Sequence, residues 1–188
     1  MPVSLNELTA ELNDLLKPEQ FNDYCPNGLQ VEGRKEVMKI VSGVTACRAL
    51  IKAAVAAKAD FILVHHGYFW KGENQCITGL KKSRIQMLLQ NDLSLSAYHL
   101  PLDAHKELGN NAQLAKILEL NVGSPLDAEQ RNPIVFCGRL NQPMSFDSFS
   151  QHINQKLKRM PLGIKGASEK IEKIAWCTGA AQNFIELA

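Results

Sequence analysis

Phe61-Ile62-Leu63-Val64-His65-His66-Gly67-Tyr68-Phe69-Trp70 is the stretch whose reading decides the fold. Its first four residues are apolar without alternation, the pattern of a parallel-sheet strand covered on both faces. The run then ends in two adjacent histidines and a glycine. In open α/β sheets, ligands gather beyond the carboxyl ends of the strands. A histidine pair at that point stands where a metal or a substrate would be met. A lone histidine near a core is ordinarily a hydrogen-bonded core residue. Two in succession, closing a strand and followed by glycine, favour the functional reading.

Working outward, residues 38–44 alternate into a strand, and residues 47–58 are rich in alanine and leucine and predict a helix. With the strand at Phe61 they form a β-α-β unit, which implies parallel strands and a right-handed crossover. Beyond Trp70 a polar loop leads to a predicted helix over 80–89. Residues 93–99 then alternate apolar and polar as a strand should, and Pro101, Leu102 and Asp103 follow at once. Two strands of one sheet are therefore expected to end in ionisable groups, His65 and His66 on one, His99 and Asp103 on the next. Upstream, Ser4 and Glu7 form a capping box ahead of Leu5, Leu8, Leu12, Leu15 and Leu16 at helical spacing. Cys25-Pro26-Asn27-Gly28 is turn chemistry, with a short strand at 29–31. Gly109-Asn110-Asn111 opens a helix carrying Leu114, Ile117 and Leu118 on one face.

Between 121 and 132 the periodicity lapses into Gly, Ser, Pro, Asp and Glu, which places a boundary there. The reading is one α/β domain over 1–124 that carries the candidate site, and a second α/β portion over 125–188. In the second portion a strand is expected at 133–140, a helix at 145–157, a strand at 173–177 and a helix from 182. Lys173-Ile174-Ala175-Trp176-Cys177-Thr178-Gly179-Ala180 echoes Lys39-Ile40-Val41-Ser42-Gly43-Val44-Thr45-Ala46, so this portion reads as a pseudo-repeat. The fold class is α/β, two-domain, with a parallel-containing sheet flanked by helices. The final predicted helix has no glycine cap and no last-turn cation, and the expectation is a natural chain that continues beyond Ala188.

Composition narrows the function. Hydrophobic residues at 45% and charged residues at 21% are ordinary globular usage. A net charge of +2 with scattered cations gives no nucleic-acid signal. No apolar run approaches the roughly 20 residues needed to cross a bilayer, and the first residues lack a signal-peptide pattern. Cys25, Cys47, Cys76, Cys137 and Cys177 have no CxxC spacing, so reduced thiols in a cytoplasmic protein are expected.

Histidine nitrogen with carboxylate oxygen suits zinc, iron, manganese or nickel. Adjacent residues on a strand point to opposite faces. His65 and His66 can serve one site if the backbone turns at or after His65, which Gly67 would permit. Alternatively each binds a different ion of a pair about 3.5–4 Å apart, with Asp103 bridging. His105 and His152 are read as solvated surface residues. No GxSxG elbow, P-loop or GxGxxG occurs.

Five motifs together resemble one family. They are Asn27-Gly28-Leu29-Gln30-Val31-Glu32-Gly33, the Val64-to-Trp70 run, Tyr98-His99 through Asp103, Asn110-Asn111, and Thr178-Gly179-Ala180. Their order is similar to that of the GTP cyclohydrolase I type 2 family, the NGG-interacting-factor-three-like proteins. The resemblance implies a toroidal homohexamer with two divalent transition-metal ions per subunit. It implies metal ligands at His65, His66 and Asp103, with His99 close to the metals. It also implies a further histidine and glutamate, one helical turn apart near the C-terminus, which this sequence lacks, so a half-site is expected. Two functions stay open: a metal-dependent hydrolase of nucleotide-like substrates, and a non-enzymatic metal-binding assembly or regulatory protein.

Overall fold

A computed structural model describes residues 1–124 and 133–188. The chain opens with β1 (Val3–Ser4), which runs into helix α1 (Leu5–Leu16). The Ser4 hydroxyl accepts from the Glu7 amide while the Glu7 carboxylate accepts from the Ser4 amide, so two otherwise unpaired donors are satisfied reciprocally. There follow β2 (Gly28–Val31), β3 (Glu36–Val37), β4 (Ile40–Thr45), α2 (Arg48–Ala56), β5 (Phe61–His66), α3 (Gly79–Gln90) and β6 (Ser94–Ala97). A four-stranded sheet forms in the order β2-β6-β5-β4, with β4, β5 and β6 mutually parallel and β2 antiparallel at one edge.

The apolar run of β5 is explained by what lies on each side. Ile62 and Val64 pack with Ile51 and Ala54 of α2 and with Ile85 and Leu88 of α3. Phe61 packs instead with Leu5, Leu8 and Leu12 of α1 and with Val37 of β3. Alternate residues of a strand face opposite sides, and here both sides are covered. The short β1–β3 pairing that brings α1 to this face had no signal in the sequence.

The backbone contacts divide the chain into two compact units, Met1–Leu102 and Asp103–Ala188. The division falls inside the short helix α4 (Leu100–Ala104), which sequence periodicity did not predict. The boundary expected at 124/125 abuts residues outside those described. In the second unit come α5 (Asn110–Leu118), β7 (Leu120–Val122), β8 (Phe136–Met144), α6 (Phe146–Leu157) and β9 (Ile171–Trp176). Its sheet, in the order β7-β8-β9, is antiparallel throughout. Leu118, Leu120 and Leu140 form its core with Phe149 and Ile153 of α6 and Trp176 of β9.

Three expectations are modified. The strand expected at 133–140 begins at Phe136 and runs to Met144. The helix expected from Gln182 takes the 3-10 form, Gln182–Leu187. The octapeptide echo places β4 parallel to β5 but β9 antiparallel to β8, so the likeness lies in local pattern while strand pairing is set by distant partners. All five cysteines are free thiols. No helix among the described residues is long and apolar enough to cross a membrane.

Candidate metal centre

β5 and β6 end side by side, with Val64 paired to Ala97, so the residues just beyond them share one sheet edge. His65 and His66 close β5, and His99 lies two residues past β6. The three rings gather there. Their centroids are 4.4 Å apart for His65–His66, 5.0 Å for His65–His99 and 5.6 Å for His66–His99. One nitrogen from each falls within 4.8 Å of the other two, a spacing at which one cation could be held. All three are half-buried.

How the histidine pair converges differs from the expected turn at Gly67. The strand continues through His66, which is still paired with Thr45 of β4. Within the run from Phe61 to Trp70, left-handed backbone occurs only at Phe69, with φ of 65°. What calls for glycine at 67 is proximity: a Cβ there would stand 2.6 Å from the Ala97 Cβ and would also overlap Gln30 Oε1. The Gln30 side chain pairs with the main chain of Tyr68 like a strand, accepting from its amide at 2.7 Å and donating to its carbonyl at 3.1 Å.

Each histidine has a fixed neighbour at Nδ1. His65 Nδ1 lies 3.0 Å from the Tyr98 carbonyl, which can only accept, so Nδ1 carries the proton there. His99 Nδ1 lies 2.7 Å from Asp23 Oδ1. His66 Nδ1 is 3.3 Å from the Thr45 hydroxyl. Histidines that ligate metals ordinarily hold one nitrogen against a carbonyl or carboxylate, which fixes the tautomer and leaves the other nitrogen's lone pair for the ion. His65 and His99 each hold Nδ1 in that way. Three imidazole nitrogens suit a divalent transition ion better than magnesium or calcium, which prefer oxygen. The donor set fits the group. Trp70 packs edge-on against His99, at 5.0 Å between centroids.

The residues missed by sequence reading are those that hold His99. Asp23 was not singled out in the sequence, and Asn27 entered only as turn chemistry and as part of the Asn27-to-Gly33 motif. The Asn27 side-chain carbonyl accepts from the His99 amide at 2.7 Å. Burial pushes the Asp23 carboxyl up, but hydrogen bonds from His99, Asn27 and the Leu100 and Tyr24 amides outweigh it and hold it below the usual range. Asp23, Cys25 and His99 form a second cluster of potential ligand atoms. Burial, followed by the Asp23 charge, pushes the Cys25 thiol up to about 12.

Asp103 stands in neither cluster. It belongs to the second unit, where its buried carboxylate accepts from Asn110 Nδ2 at 2.8 Å and the Thr178 hydroxyl at 3.2 Å. Asn111, fully buried, holds Thr178 in place by accepting from its amide at 2.7 Å. The Asn110-Asn111 and Thr178-Gly179 motifs thus meet around Asp103. His105 and His152 are half-buried rather than solvated: His105 Nδ1 accepts from the Glu107 and Leu108 amides, and His152 Nε2 bonds the Leu118 carbonyl.

The family model Duf34/NIF3 (NGG1p interacting factor 3) matches residues 3–188. The chain belongs to this family. A relative from Pseudomonas aeruginosa, named GTP cyclohydrolase 1 type 2 homolog, is 52% identical over 188 residues, which is all of this chain and 74% of the relative. Among solved structures of the same fold is the protein ybgI, described as of unknown function. It superposes with a TM-score of 0.93 at 45% identity, over 98% of this chain and 73% of its own. TTHA1606 from Thermus thermophilus superposes with a TM-score of 0.86 at 32% identity, over 99% and 74%. These solved structures share the α/β fold on which the histidine cluster is built.

Proposed function

We propose that this Duf34/NIF3 member is a divalent-metal-dependent hydrolase of nucleotide-like substrates, with His65, His66 and His99 as the first ligands of its metal centre. The observation that carries the reading is the convergence of three imidazoles at the carboxyl edge of parallel strands, two of them with Nδ1 committed to a fixed acceptor. A divalent ion held there would supply Lewis acidity and bring the ionisation of water near neutral pH. The chain's own residues orient the donors: the Tyr98 carbonyl sets the tautomer of His65, and the Trp70 ring packs against that of His99. The nucleotide substrate is supported by the name that the relatives carry, GTP cyclohydrolase 1 type 2 homolog. Asp103, a second ion per subunit and self-association into a hexameric ring enter the reading on the family resemblance alone.

Protein purified without chelator should carry a first-row transition metal by elemental analysis, and replacing His65 and His66 by alanine should remove it. The metal-loaded protein should consume GTP or a related nucleotide, with loss of consumption in the double variant. Equal metal content in that variant would remove these residues from the centre. Tight metal binding with no nucleotide consumed would favour the non-enzymatic alternative.

A further inference from the structure

We propose that Asp23 is a positioning residue for this centre: its ionised carboxylate locks His99 in the Nδ1-protonated form, so that Nε2 is the nitrogen offered to a divalent cation. The inference rests on the proposed histidine centre and goes beyond it by assigning the group that sets one ligand's tautomer. Four donors converge on the Asp23 carboxylate. Oδ1 takes His99 Nδ1 at 2.7 Å and the Tyr24 amide at 2.6 Å, and Oδ2 takes Asn27 Nδ2 at 2.8 Å and the Leu100 amide at 2.9 Å. Backbone and side-chain amide N–H groups can only donate, and each oxygen receives at least one of them. Oδ2, with two amide donors, has no place for a carboxyl proton; on Oδ1 a proton could lie only toward His99 Nδ1, and there the imidazole, a stronger base than a carboxylate, takes it. The group is therefore an acceptor-only carboxylate, and the proton of the His99 contact must sit on Nδ1.

Burial makes this lock rigid. The Asp23 side chain is 3% exposed and that of His99 15%. Asn27 accepts from the His99 amide and donates to Asp23, and Asp23 accepts from the Leu100 amide, so two side chains hold both the backbone and the ring of His99. The rival arrangement would use Asp23, Cys25 and His99 together as ligands of one ion. That would require Asp23 to give up donors that already fill its oxygens.

Two measurements on the 188-residue protein decide. In a long-range proton–nitrogen correlation spectrum of the 15N-labelled wild type, assigned by the signal missing from a His99→Asn sample, His99 should appear as the Nδ1–H tautomer. The Nε2–H tautomer would overturn the inference, and this reading holds even if an Asp23 variant does not fold. Cobalt(II) titration should then show affinity falling about 10–100-fold in Asp23→Asn, with shifted d–d bands and an unchanged far-ultraviolet dichroism spectrum. The substituted amide must turn its NH2 toward one pair of donors, so it cannot hold the ring as the carboxylate does. Equal affinity with an unchanged d–d spectrum would overturn the role of Asp23 alone. A thiolate-to-cobalt charge-transfer band lost in Cys25→Ser would overturn it in favour of the rival ligand set. No cobalt bound by the wild type would overturn the histidine centre and this inference with it.

Discussion

Gly67 has an ordinary backbone, and the neighbourhood rather than the dihedral excludes a side chain there. Gln30 and the Ala97 Cβ occupy the space a methyl group would need. Gly67→Ala should therefore cost about 1–3 kcal/mol, as overpacking does, read as a lowered urea midpoint with an unchanged slope. An unaltered midpoint would mean that Gln30 and the end of β6 yield freely. Asp60 offers a second test. It is buried, accepts from the Met38 and Lys39 amides at 2.9 Å each, and pairs with Arg34 at 2.8 Å. Burial raises its pKa, but the two amides and Arg34 outweigh that and hold it below the ordinary carboxylate range. A carboxyl whose folded pKa is depressed adds stability above its unfolded pKa, near 3.9, and loses it as pH falls through the folded value. Asp60→Asn should cost about 1.5–3 kcal/mol near neutrality, and the difference from wild type should shrink below about pH 4. A difference independent of pH would show that charge is not what Asp60 contributes.

At the scale of elements, α1 and β5 were legible because their signals are local. Ser4 and Glu7 spell a capping box in sequence and form one in space, and the helically spaced leucines face the sheet through Leu5, Leu8 and Leu12. Ser4→Ala should cost about 1 kcal/mol, within the usual range for an N-cap, and Ser4→Asp should restore most of it; thermal denaturation of the three proteins checks both. The β1–β3 ribbon and α4 were not legible. Two-residue strands and a five-residue helix carry too few residues to show a period. The helix expected from Gln182 is present, but its 3-10 form is not legible, since so short a segment spans no more than about two turns of either form.

For the whole molecule, ligand binding and stability are linked. A cation held by His65, His66 and His99 in the folded state alone stabilises it by about 2.7 kcal/mol at a concentration one hundred times its dissociation constant. Unfolding of the wild type should move to higher temperature with added zinc. The His65→Ala, His66→Ala double variant should not respond. A zinc response retained in that variant would place the stabilising ion elsewhere.

The sequence by itself determined the β-α-β frame, the apolar strand buried on both faces, and the placement of His65, His66 and His99 at strand ends. Those features follow from periodicity and from the rule that parallel strands present their carboxyl ends together. It also carried the family, through five motifs in order. Only the tertiary structure decided that the three imidazoles gather within reach of one ion, that Gly67 is required by crowding, and that Asp23 and Asn27 hold His99 across more than seventy residues of chain. It likewise put Asp103 among Asn110, Asn111 and Thr178 in the second unit. Such contacts join residues far apart in sequence. Their existence depends on strand register and loop path, which no local pattern of residues encodes.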